Sequence, residues 1–166
     1  MVELDYVVVG HATRDLKDPS PEVGGTATYA ARTAAMLGCR VGVVTSAGID
    51  LDLGHILGDA LIARLPASET TTFENISTSG RRRQIIHGTA QPLAPALVPK
   101  NWRTAIAHIG PVAQECDPAL TRAFEGAFVG VTPQGWMRAW DETGRVTRRR
   151  WAEAQEVLPH ADAVVL

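Results

Sequence analysis

Residues 24–50 read GGTATYAARTAAMLGCRVGVVTSAGID, and this stretch decides the fold. From Thr26, alanines 27, 30, 31, 34 and 35 recur at helical spacing, and Gly38 stands where a left-handed cap closes a helix C-terminus. An alanine face lets such a helix lie close to a sheet. Val41, Val43 and Val44 then form a short apolar strand. Working outward, Tyr6 to Val9 is a valine-rich run ended by Gly10, the pattern of a strand buried on both faces of a parallel sheet. Downstream, Leu53, Ile56, Leu57, Ala60 and Leu61 trace the stripe of a second helix. Strand, loop, helix, strand, helix predicts an α/β domain with a mostly parallel sheet flanked by helices.

Beyond this opening, Thr70 to Gly88 is rich in Thr, Ser, Ile and Phe, with Ser79-Gly80 as a turn, and reads as a β-hairpin. Alternation resumes with strands at Ala105 to Ile109 and Ala127 to Val131, and between them Asp117-Pro118 supplies an N-cap and a first-turn proline. Trp151 to Leu158 suggests a helix stopped by Pro159, and Ala163 to Leu166 begins one more apolar strand. That strand reads either as buried on both faces, where a chain end would be out of place, or as an edge strand near the surface. The 166 residues therefore read as a single truncated α/β domain.

Composition narrows the partners. Sixteen basic against eighteen acidic residues leave a formal charge of −2, which argues against nucleic acid and anionic membranes and for a small ligand. Cys39 and Cys116 have neither Cys-x-x-Cys spacing nor a nearby His pair, so no metal site and no disulfide framework is readable, and a cytoplasmic location is expected. No leader and no membrane-spanning run is apparent. The clusters Arg81 to Arg83 and Arg148 to Arg150 read as edge charges that prevent sheet extension. Trp136 and Trp140, four apart, suggest a packed pair, and His108 reads as a structural strand residue.

In open α/β sheets ligands bind beyond the carboxyl ends of the strands. The loop after Val9 carries Asp15, then Gly24-Gly25 immediately before the helix that starts at Thr26. Glycines let backbone approach a ligand, the helix start offers unpaired N–H donors, and a carboxylate accepts from hydroxyls, a combination suited to a polyhydroxylated guest. The turn Gly10-His11-Ala12-Thr13 lacks the dinucleotide G-x-G-x-x-G, and no G-x-x-x-x-G-K-[ST] occurs. Gln134, in the loop Thr132 to Trp136, is either a substrate contact or a turn residue.

Gly10 with Asp15, Gly24-Gly25, Gly38 and the run Ala47-Gly48-Ile49-Asp50 together resemble the N-terminal signature of ribokinase-like (PfkB) carbohydrate kinases. The resemblance implies a ribokinase-like sandwich with a small β lid, its strands roughly within 11–24 and 70–90, and a C-terminal nucleotide-binding part that is absent. It implies that Asp15, Gly24, Gly25, Thr26 and Tyr29, with Gly110 and Gln134, surround a sugar, nucleoside or polyol. Tyr29 and Thr13 stand where such kinases often carry Asn, which bears on the choice of substrate. The resemblance also implies ATP and Mg2+ for a full-length kinase, neither bound by this chain, and a homodimer through the lid strands. The residues that transfer the phosphoryl group in such kinases lie beyond Leu166, so the 166-residue chain is expected to be inactive alone. A non-catalytic binding module on the same fold is the alternative.

Overall fold

The computed structural model describes residues 1–17, 19–78 and 81–166. The Ser79-Gly80 turn, and part of the Arg81 to Arg83 cluster, lie outside the described residues and side chains. In chain order the strands are β1 (Val2–Val9), β2 (Thr13–Leu16) and β3 (Glu22–Gly24), then helix α1 (Thr26–Met36) and β4 (Val41–Gly48). After α2 (Leu53–Leu57) come β5 (Leu61–Ala67), β6 (Thr72–Thr78), β7 (Arg81–Gly88), β8 (Trp102–Ile109) and β9 (Phe128–Val131). A hairpin of β10 (Arg138–Trp140) and β11 (Val146–Arg148), helix α3 (Ala154–Val157) and β12 (Ala163–Val164) complete the order.

Six strands form a sheet in the order β12-β9-β8-β1-β4-β5, and all five pairings are parallel. Val7, Val8 and Val9 of β1 and the valines of β4 are wholly or nearly inaccessible, as a doubly covered strand requires. On one face α1 lays Ala27, Ala31 and Ala34 over β1 and β4. The small side chains bring helix and sheet close. Gly38, at φ 84°, ends the helix, with its N–H bonded to Ala35 O at 2.9 Å. On the other face β1, β8 and β9 pack on Leu93, Leu120, Trp136 and Val157.

A second, four-stranded sheet, β3-β2-β6-β7, stands over the carboxyl ends of β1 and β8 as a lid. It contains the hairpin expected from Thr70 to Gly88. His11 clips its base: Nε2 donates to the Gln91 carbonyl at 2.9 Å, leaving Nδ1 to accept from the Thr71 hydroxyl at 2.7 Å. A third core cluster joins Phe73 and Ile86 of the lid to Val112, Ala113, Trp140 and Val146.

Four readings need correction. The second helix stops at Gly58, whose φ of 59° ends it, and Leu61 opens β5 at the sheet edge, exposed. The Asp117 cap is real, with its carboxylate accepting from Ala119 N at 2.8 Å, but it starts only a short 3-10 turn, Pro118–Arg122. Trp136 pairs with Trp151, not Trp140: their rings stack 5.8 Å apart at 12°, while Trp140 joins the lid cluster. The final strand is not doubly covered. It pairs only with β9 at the sheet edge, and Val164, Val165 and Leu166 are exposed.

Candidate substrate cleft

Between the lid and the N-terminus of α1 lies a cleft of about 350 Å3. Its first wall is built from backbone. The chain leaves β1 at Gly10, turns through His11 and Ala12 into β2, returns as β3 and enters α1 through Gly24-Gly25. Gly25 has φ 89°, and a Cβ there would lie 2.2 Å from His11 O and 3.1 Å from Thr13 N. Only glycine fits that crossing. At Gly24 a Cβ would meet the Asp15 carboxylate at 2.7 to 2.8 Å, so the carboxylate of β2 lies against Gly24. Thr13 donates to Asp15 Oδ1 at 3.2 Å. The α1 start has no side-chain cap and no acidic residue in its first turn. Carboxylate and helix N-terminus therefore face one space.

The structure brings Asp15, Gly25, Thr26, Tyr29 and Gln134 to the cleft, with Gly24 packed beneath Asp15. Tyr29 is 56% exposed at the rim, and its hydroxyl donates to Val23 O at 3.4 Å. Gly110 is not brought there. A Cβ on it would lie 2.4 Å from the Thr26 methyl and 3.2 Å from Thr132 Oγ1, so it serves the packing of α1 against the ends of β8 and β9.

The second wall rests on side chains that sequence reading missed. Glu115, 5% exposed, accepts from His11 N (3.0 Å), Val112 N (2.9 Å) and Ala113 N (2.7 Å) and so holds the loop after β8 against the loop after β1. Val112 lines the cleft from that loop. Arg138, the first residue of β10, reaches the cleft with its guanidinium 5.2 Å above the Phe73 ring and Nη1 donating to Val112 O at 2.8 Å. From the lid come Phe73 and Asn75 of β6 and Gln84 of β7. Asn75 and Gln84 are register partners, and Gln84 Nε2 donates to Asn75 Oδ1 at 3.0 Å. Their period-2 spacing from Phe73 and Ile86 was the available signal for these two amides. Arg138 gave none.

Behind the rim, Tyr6 Oη lies 2.6 Å from His108 Nδ1, and His108 Nε2 lies 2.9 Å from Thr132 Oγ1. With the tyrosine donating to Nδ1, Nε2 carries the proton and donates to Thr132. Burial holds the His108 imidazole below its ordinary pKa and pushes the Tyr6 phenol up to about 12.

Among the described residues no group of three His, Cys, Asp or Glu is placed to hold a metal ion. Of the described residues lining the cleft, Arg138 alone is cationic. Among the described residues no helix is long and apolar enough to cross a membrane.

No family model and no curated protein matches the sequence. Solved structures do match. A pyrophosphate-dependent kinase in the ribokinase family, complexed with a pyrophosphate analog and myo-inositol, is 23% identical with a TM-score of 0.78, over 96% of this chain and 60% of that one. The nucleoside kinase of Methanocaldococcus jannaschii, an archaeal member of the ribokinase family, gives 18% and 0.65 over 96% of this chain and 60% of its own. Arabidopsis thaliana ribokinase, complexed with ribose and ATP, gives 18% and 0.56 over 79% of this chain and 54% of its own. The fold, with its six-stranded parallel sheet, is the ribokinase fold. The chain spans about 60% of the length of the first two of these structures.

Proposed function

We propose that this chain is the acceptor-binding lobe of a ribokinase-like phosphotransferase, and that its cleft holds the hydroxyl-bearing substrate. The observation that carries this reading is the Asp15 carboxylate resting against Gly24, one residue before the uncapped start of α1 at Gly25. Acceptor and donors there converge on a single volume, as recognition of several hydroxyls requires. Asp15, Gly25, Thr26, Tyr29 and Gln134 are the proposed contacts, with Asn75, Gln84 and Arg138 opposite. A complex with myo-inositol in one structure of this fold, and with ribose in another, supports a small polyol as guest.

Phosphoryl transfer is chiefly positioning and charge stabilisation around the moving group. The cleft supplies the positioning of an acceptor. The donor, ATP or pyrophosphate, and its metal belong to the remaining part of the fold, and these 166 residues alone transfer no phosphoryl group. The alternative is a non-catalytic binding module on the same fold, which never meets a donor. Adding ATP or pyrophosphate with Mg2+ to the polypeptide and a polyol separates them from an active enzyme: turnover refutes inactivity.

The test of the cleft is a thermal-shift screen with sugars, cyclitols and nucleosides. A ligand at about 100 times its Kd stabilises by about 2.7 kcal/mol. Asp15→Asn, isosteric but uncharged, is expected to abolish the shift with the ligand-free melting temperature little changed. A shift that survives the substitution removes Asp15 from the site.

A further inference from the structure

We propose that Arg138 selects the substrate class, admitting a cyclic polyol without an attached base, a monosaccharide or cyclitol, in preference to a nucleoside. The proposal rests on the reading of the cleft as a polyol site. A nucleobase needs a flat apolar face to stack on. Among the described residues lining the cleft there are two aromatic rings, Phe73 and Tyr29. One face of Phe73 lies under the Arg138 guanidinium at 5.2 Å, and the residue is only 4% exposed. Tyr29 stands at the rim, 56% exposed, with its hydroxyl turned to Val23 O. Neither ring offers a closed slot for a base.

A base-free ring is served better. Its edge is a circle of hydroxyls that both donate and accept. Asp15 on β2 accepts, while across the cleft Arg138 donates in a planar fork that spans two neighbouring oxygens. Val112 O fixes that fork from behind, and the Phe73 ring supports its plane. Asn75 and Gln84, bonded to each other across the lid, hold their amides in one relative orientation. A lysine in place of Arg138 would keep the charge and lose both the fork and the stack.

The experiment is calorimetric titration of the 166-residue chain with myo-inositol, ribose and adenosine, repeated on Arg138→Lys, Arg138→Gln and Asp15→Asn. At least one base-free ring is expected to bind the wild type and adenosine to bind more weakly. Arg138→Lys is expected to weaken the ring about tenfold or more and Arg138→Gln further. Adenosine binding more tightly than both base-free rings, in an Asp15-dependent way, overturns the substrate class and leaves the cleft reading intact. Unchanged ring affinity in Arg138→Lys does the same. If none of the three binds, or Asp15→Asn binds as the wild type does, the cleft reading falls and the selection with it. Should Arg138→Lys not fold, as judged by its melting transition, Phe73→Leu interrogates the same stack: it is expected to weaken the ring, and unchanged affinity overturns the proposal.

Discussion

The two walls of the cleft are built by different means. The first, residues 10–25, is shaped by backbone: glycines at 24 and 25 let α1 press against the β1–β2 crossing, and Asp15 drops onto the surface they clear. The second, residues 110–138, is shaped by side chains. A buried carboxylate gathers three amides, and a guanidinium arrives from a hairpin far along the chain. A backbone-built wall tolerates almost no change at a few positions. A wall held by polar side chains can be loosened by degrees.

Three substitutions or conditions probe that contrast, beginning with the most damaging. Gly25→Ala puts a Cβ 2.2 Å from His11 O at φ 89°, and neither partner is a flexible side chain that can yield. A loss of roughly 3–4 kcal/mol is expected from left-handed strain plus overpacking, read from urea unfolding. A loss below about 1 kcal/mol would show that the first wall is softer than drawn. Glu115→Ala orphans the amides of His11, Val112 and Ala113, and a loss of about 2–3 kcal/mol is expected. Glu115→Gln, which keeps one acceptor oxygen, should fall between that variant and the wild type. Equal effects of the two would mean that volume, not hydrogen bonding, holds the second wall.

The smallest effect is the response to pH. His108, whose Thr132 contact ties the ends of β8 and β9 beneath the second wall, is held below its ordinary pKa by burial. The unfolded chain then takes up a proton near pH 6.5 where the folded chain resists it, so this contribution is complete above that value and is lost as pH falls through and below it. Urea midpoints at about pH 7.5 and pH 5.5 should differ in that direction, and His108→Gln should remove part of the difference. An identical slope in the variant assigns the pH response to other groups.

The same contrast governs what the sequence disclosed. β1, α1 and β4 were legible because doubly covered strands and an alanine face leave continuous or periodic apolar patterns, and β8 and β9 carry apolar runs as well although Ile106 and Phe128 are exposed. β5 was not: Leu61-Ile62-Ala63-Arg64-Leu65-Pro66-Ala67 lies at the sheet edge, with a proline and half-exposed side chains, and continues the leucine stripe of the short helix before it. β10 and β11, three residues each, carry no periodic signal, and the stack of Trp136 on Trp151 joins residues that local spacing cannot link. In the cleft, glycines announced the first wall, since close approach requires them. Glu115 looked like any surface acid, because nothing local says that three amides will close around it.

The hairpin that delivers Arg138 also finishes the lid. Ile86 N donates to Gly144 O at 2.8 Å, and Ile85 bridges Arg145, so part of the outer margin of β7 is already taken by the chain's own backbone. A sheet bordered in this way has a selvedge. Two copies meeting lid to lid would find no unbroken run of open amides along β7, and the three residues of β3 at the opposite border make a short seam.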